Sequence, residues 1–202
     1  MISKDHSLLG RLFAQQMIKN KSFFAVHLFV TGCVFPDHNP LTYLRGICKG
    51  HPLKAHFLFL SYSEIQRLCR KLESRKRLYL WDYYSLGALL HYVADAFTFP
   101  HNEHYTGTML EHTRYEHGSL HQAFEQYLTG GFQFERYAPD RMHSTEDFFW
   151  KLHDAYMETE PTAFCDVQYI CRVCAMICTR ILEKEAVPYM RGAKEEERWV
   201  QI

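Results

Sequence analysis

Residues 91–116, HYVADAFTFPHNEHYTGTMLEHTRYE, constrain the fold more than any other stretch, because they set metal-ligand side chains at spacings that two helices can turn toward one point. His91 and Asp95 stand at i and i+4 on LGALLHYVADAF, which reads as a buried helix, so the two side chains stack on one face and can grip one cation. Pro100 predicts the end of that helix near Phe99, since the residue before a proline is pushed out of the α region, and His101 follows on the exit. A turn around Gly107 leads to His112 and Glu116, again at i and i+4, so a second face carries an imidazole and a carboxylate. Five candidate ligands fall in this one stretch, and a zinc site is expected there.

Spacing alone does not carry that expectation. With 13 histidines and 23 acidic residues in 202, chance supplies roughly one or two His-to-acid pairs at i+4, and the sequence has four. The other two, His121 with Glu125 and His143 with Asp147, read as solvated helix faces. Burial separates the pairs. His91 and Asp95 sit among Leu89, Leu90, Val93, Ala94 and Phe97, where an unpaired carboxylate is costly and a cation would satisfy it.

The length suits one domain, 1–202, built on one core. No stretch approaches the roughly 18 uninterrupted apolar residues of a membrane span, so no transmembrane segment is expected. The opening MISKDHSLLGRLFAQQ has an acid at Asp5 and no long apolar region, which predicts no signal peptide and a cytoplasmic protein. Seven cysteines scattered along the chain suit free thiols in a reducing compartment. Balanced charge, 23 basic against 23 acidic residues, argues against duplex DNA as a partner but leaves room for a small phosphorylated substrate.

Along the chain, residues 5–19 read as an amphipathic helix opened by Asp5 or Ser7, with His6 at its entrance and Leu8, Leu9, Leu12, Phe13, Met17 and Ile18 as its apolar stripe. A more buried helix from Ser22 is predicted to stop at Pro36, leaving Asp37 just past the stop. Residues 37–60 lack clean periodicity and read as a long loop holding His38, His51 and His56, and loops of that length are usually functional. A charged helix follows from Ser63 through Ser74, its inward face Ile65, Leu68, Cys69 and Leu72 and its basic run a solvated face. Residues 81–99 form the central helix, in which Gly87 marks a close helix contact. Residues 112–128 form the next helix, Thr145 caps another, and Pro161 starts the last, whose Cys171, Cys174 and Cys178 fall on one core stripe. Strand-like alternation is nearly absent, so the expected fold is all-α, with its site in a cleft between helices.

The run His-x3-Asp-x5-His at His91, Asp95 and His101, followed by His-x3-Glu at His112 and Glu116 and preceded by the Pro-Asp turn at Asp37 and the Gly-His at His51, resembles the zinc-dependent phospholipase C family. The resemblance covers about residues 6–125 and implies two to three Zn2+ ions in a cleft of a helical domain. It implies Asp37, His51, His91 and Asp95 around one ion and His101, His112 and Glu116 around a second. A third would be shared by Asp95 and an N-terminal histidine, His6. His51 is preferred to His56 because it follows a glycine 14 residues beyond Asp37, and His6 to His27 because His27 lies in a hydrophobic run where core histidines are common. Extracellular members use the amine and backbone of a processed first residue as ligands, and this chain shows no matching cleavage signal.

Imidazoles and carboxylates favour zinc, and clustered ions polarise phosphoryl oxygens and activate water, so phosphoester hydrolysis is the expected chemistry. Asp37, bound through one oxygen, would orient the attacking water with the other. The expected partner is a phospholipid or another phosphoester. Two other functions compete with that expectation: a single-strand-type zinc nuclease, disfavoured by the lack of basic excess, and a non-catalytic helical interaction protein stabilised by metal.

Overall fold

In the computed structural model, which describes residues 1–18, 21–38, 58–130 and 143–183, the run carrying His91 and Asp95 lies in a helix through the middle of the molecule. The described residues form α1 (Ser3–Phe13), α2 (Phe23–His38), α3 (Leu58–Glu73), α4 (Leu80–Ala96), α5 (Met109–Tyr115), α6 (His121–Thr129), α7 (Thr145–Met157) and α8 (Ala163–Leu182). No strand occurs among them. The all-α expectation therefore holds. Helix α4 is buried on nearly every side and packs against α1, α2, α3 and α8. Its Leu86, Leu89, Leu90 and Val93 join Phe13, Phe29, Phe124, Phe149 and the inward stripe of α8 in one core.

The tightest pairing, α2 on α4, depends on two glycines. A Cβ on Gly32 would overlap the carbonyl oxygen of Tyr84, and one on Gly87 would overlap that of Phe29, so only glycine lets the two backbones touch. The close contact expected at Gly87 is thus present. The two helices run in the same direction: Ala25 and Tyr83 share one end, Phe29 meets Gly87, and Cys33 meets His91 further along.

Several boundaries differ from expectation for local reasons. Helix α2 does not stop at Pro36 but continues through His38, with Pro36 buried inside it. The proline lacks only the N–H that would reach Gly32, and the restriction it places on Phe35 is a preference that packing overrides. Asp37 is consequently helical. Helix α1 starts two residues before Asp5, since the Asp5 and His6 amides bond to the Ile2 carbonyl, and it runs on as a π turn over Ala14–Ile18. Helix α3 begins at Leu58, inside the stretch read as loop. The predicted helix 112–128 begins at Met109, where Thr108 and Glu111 form a capping box, and a π turn over Glu116–Leu120 divides it. Ser144, one residue before the expected Thr145, caps α7. In α8, Cys171, Cys174 and Cys178 are buried free thiols in the core, as their stripe predicts.

Candidate metal centre

Seven of the eight predicted site residues meet at one end of the α2–α4 pair. His6 comes from the second turn of α1, Asp37 from the last turn of α2, and His91 and Asp95 from the second half of α4. His101 closes a short 3-10 turn after α4, while His112 and Glu116 lie one turn apart at the junction of α5 with its π turn. The donor atoms of His6, Asp37, His91 and Asp95 lie within 4.8 Å of one another, as do those of His101, His112 and Glu116. His51 and its alternative His56 lie outside the described residues. His27 is not a core histidine: it is exposed on α2, stacked on Phe23, because the first turns of that helix lie at the surface.

Asp95 stands between the two groups. Its Oδ1 lies 3.1 Å from His6 Nε2 and 3.0 Å from the Met1 ammonium, and its Oδ2 lies 3.4 Å from His91 Nε2 and 3.8 Å from His101 Nδ1. The ammonium also donates to Glu116 Oε1, which His101 Nε2 and His112 Nε2 approach at 2.9 and 3.2 Å. Asp37 completes the first group, with Oδ1 at 3.5 Å from His91 Nε2 and Oδ2 accepting from the Ser3 hydroxyl at 2.7 Å. Burial alone would lower the Met1 amine, but Asp95 and Glu116 push it up to about 11. Burial alone would also raise both carboxylates. The ammonium, with His101, His6 and His91 around Asp95 and with His101 and His112 around Glu116, instead holds them well below the usual range.

These residues fit divalent cations. His91 Nδ1 lies 3.0 Å from the Cys33 carbonyl oxygen, which can only accept, so the proton of a neutral His91 is on Nδ1 and the Nε2 lone pair points at two carboxylates. For a neutral His91 that arrangement is repulsive unless a cation sits between them. The gaps of 3.4 and 3.5 Å around His91 Nε2 also match the edge of a tetrahedron, ~3.4 Å, that zinc–ligand bonds of about 2.0–2.1 Å produce. Asp37, Asp95 and Glu116 place three carboxylates among four imidazoles and one ammonium in a mostly buried space, a donor set that suits zinc.

A second tier of contacts sets the position of His101. The Asn102 amide donates to the Ala96 and Thr98 carbonyls, and its oxygen accepts from His153 Nε2 at 2.9 Å. On the other side Asp166 of α8 accepts from the Phe99 amide at 2.8 Å, from the Tyr115 hydroxyl at 2.9 Å and from the Tyr156 hydroxyl at 2.7 Å. Asp166 thus ties the segment before His101 to the residue before Glu116. Sequence reasoning missed it. The available signal was its place on the inward stripe Asp166, Ile170, Cys174 and Ile177, where a carboxylate needs partners. Asp5, also unassigned, is buried and accepts from His121 Nδ1 at 2.7 Å, so the His121–Glu125 face is less solvated than the spacing suggested.

Histidines and carboxylates gathered in two adjoining groups between helices make this a candidate metal-binding helical protein. Residues 5–163 match the family described as zinc dependent phospholipase C, and the chain belongs to that family. Membership supports a zinc-dependent phosphoester hydrolase. No curated protein and no solved structure matches the chain. Among the described residues no helix is long and apolar enough to cross a membrane.

Proposed function

We propose that the protein, as one domain over residues 1–202, is a zinc-dependent phosphodiesterase that cleaves a phospholipid headgroup linkage. The observation that carries this reading is Asp95, whose two oxygens face different donor sets and so can serve two ions at once. Asp37, His91 and Asp95, with His51, would hold one ion. His101, His112 and Glu116 would hold a second, and His6 with Asp95 would offer a third position. When bound, zinc supplies charge neutralisation at phosphoryl oxygens and activation of water near neutral pH.

The protein's own groups do the rest. The Cys33 carbonyl keeps the proton of His91 on Nδ1, so Nε2 stays available as a donor. The Ser3 hydroxyl fixes the plane of the Asp37 carboxylate, and Oδ2, which has a second lone pair, orients the attacking water. Asn102 and Asp166 hold the 3-10 turn in place, so His101 does not move as charge builds at the phosphate.

The test is a metal-loaded activity screen over phospholipid, single-stranded nucleic acid and simple phosphate esters, paired with elemental analysis. About two zinc equivalents and a phospholipid-cleaving activity abolished by chelation and restored by zinc are expected. Cleavage of single-stranded nucleic acid alone would give the nuclease reading precedence. A folded protein that takes up less than one equivalent after incubation with zinc sinks the metal reading.

A further inference from the structure

Beside the metal centre, the turn before α5 and the first turn of that helix hold apolar side chains out into solvent. Met109 is 49% exposed and Leu110 59%. Met109 stands three residues before His112 and seven before Glu116, so it shares their helix face and forms its outer end. Tyr105 sets its ring edge-on to His112, with centroids 6.2 Å apart, and edge-on to Phe99 at 5.5 Å. Its hydroxyl donates to the Thr108 carbonyl at 3.4 Å, and a Cβ on Gly107 would strike that hydroxyl, so the turn closes tightly on the ring. The start of α5 is fixed as well, since the Glu111 carboxylate accepts from the Thr108 amide at 2.7 Å and from its hydroxyl at 2.8 Å. Ring contacts and capping bonds thus build this apolar lip in place.

A single exposed leucine is ordinary, but two adjacent apolar side chains with a tyrosine at the edge of a site call for an occupant. Residues 102–114 carry one arginine and no lysine against Glu103 and Glu111, so the lip has no basic cluster to draw acidic lipids. We propose that Tyr105, Met109 and Leu110 seat in the surface of a zwitterionic phospholipid bilayer, with the metal centre turned toward that surface. The inference deepens the phospholipid reading and rests on it for the occupant. A substrate whose phosphate reaches His101, His112 and Glu116 still carries acyl chains that need apolar cover, and Met109 lies about 4.5 Å along the helix axis from His112, at ~1.5 Å per residue. The tyrosine ring suits headgroup depth, and the methionine and leucine suit the acyl boundary just beneath.

The test compares the zinc-loaded, full-length protein with the double variant Met109→Gln, Leu110→Gln, which keeps side-chain bulk and helix propensity. Flotation with vesicles of a phosphonate phosphatidylcholine, whose headgroup linkage cannot be hydrolysed, reads docking. Rates on ordinary phosphatidylcholine vesicles and on a short-chain phosphatidylcholine below its critical micelle concentration separate the surface from the cleft. The parent should float at low and high salt alike, and the variant should need on the order of 10-fold more lipid to float equally and to reach half its maximal rate on vesicles. Zinc content, thermal midpoint and the rate on monomeric lipid should match the parent's. A parent that does not float, that floats only with acidic lipid, or that salt releases overturns the proposal, as does a variant that floats as well as the parent. So does a variant whose rate falls equally on monomers and vesicles, because the two side chains then serve the cleft and not the surface. A dimer that the substitutions dissolve, in a protein that binds no vesicles, also overturns it. A parent that floats through this lip yet cleaves neither form of phosphatidylcholine overturns the proposed reaction alone and leaves the docking surface standing.

Discussion

Asp95 and Asp166 are both fully buried carboxylates on neighbouring helices of one core, yet their surroundings are opposite. Asp95 faces an ammonium and three imidazoles, and although burial alone would raise its pKa, these groups hold it well below the usual range. Asp166 faces an amide and two phenols, all neutral, and burial pushes it up in spite of the three hydrogen bonds it accepts. A buried carboxylate ringed by cationic or potentially cationic groups keeps its charge and is free to bind metal. One ringed by neutral donors spends its lone pairs on fixing backbone and side chains. The contrast separates a candidate ligand from the frame that aims the ligands.

Substitutions at the two ends of that contrast should differ in kind. The largest effect is expected from Asp95→Asn, which should strip at least one zinc equivalent and lower hydrolysis more than about 100-fold, measured by elemental analysis and initial rates. Gly87→Ala comes next. Its methyl would collide with the Phe29 carbonyl, costing about 1–3 kcal/mol in denaturant unfolding and, by parting Asp37 from His91, weakening zinc retention. Asp166→Asn should cost a comparable or smaller ~1–3 kcal/mol, since an amide cannot accept from all three donors, with only partial loss of zinc. Should it strip zinc as fully as Asp95→Asn, the distinction between ligand and frame fails. The raised pKa of Asp166 also fixes a sign. Its contribution to stability is present below the unfolded-state pKa, about 3.9, and is lost as pH rises through the folded value, so the stability gap between parent and Asp166→Asn should widen toward acid. The smallest effect belongs to Glu125→Gln. Its pair with Lys4 is exposed, so zinc content should not change and stability should shift by less than about 1 kcal/mol.

The sequence was legible where one helix supplied both the pattern and its burial. His91 with Asp95, and Gly87 with its close contact, could be read from the apolar run that surrounds them. His112 and Glu116 were legible as an i, i+4 pair, though the π turn that begins at Glu116 was not, because π turns leave no periodic signature at this length. Reading Pro36 as a stop placed Asp37 correctly near His91 for the wrong local reason, since long-range packing on α4 overrode a pairwise steric preference. Asp166 was hidden for the converse reason. Its three donors come from Phe99, Tyr115 and Tyr156, and no local pattern at residue 166 announces partners as much as 67 residues away.

The shared direction of α2 and α4 bears on electrostatics at longer range. Adjacent helices that run antiparallel largely cancel their macrodipoles, whereas these two add. Both C-terminal ends, each equivalent to about half a negative charge, converge on the end that carries Asp37, His91 and Asp95, where cations are wanted. Both N-terminal ends converge on the opposite pole, beside Lys21 and residues 75–77. The backbone thereby gives the molecule an axis, with an inward pull on divalent cations at one pole and on acidic groups at the other, and the glycine contact that lets the helices lie so close keeps the two fields in register.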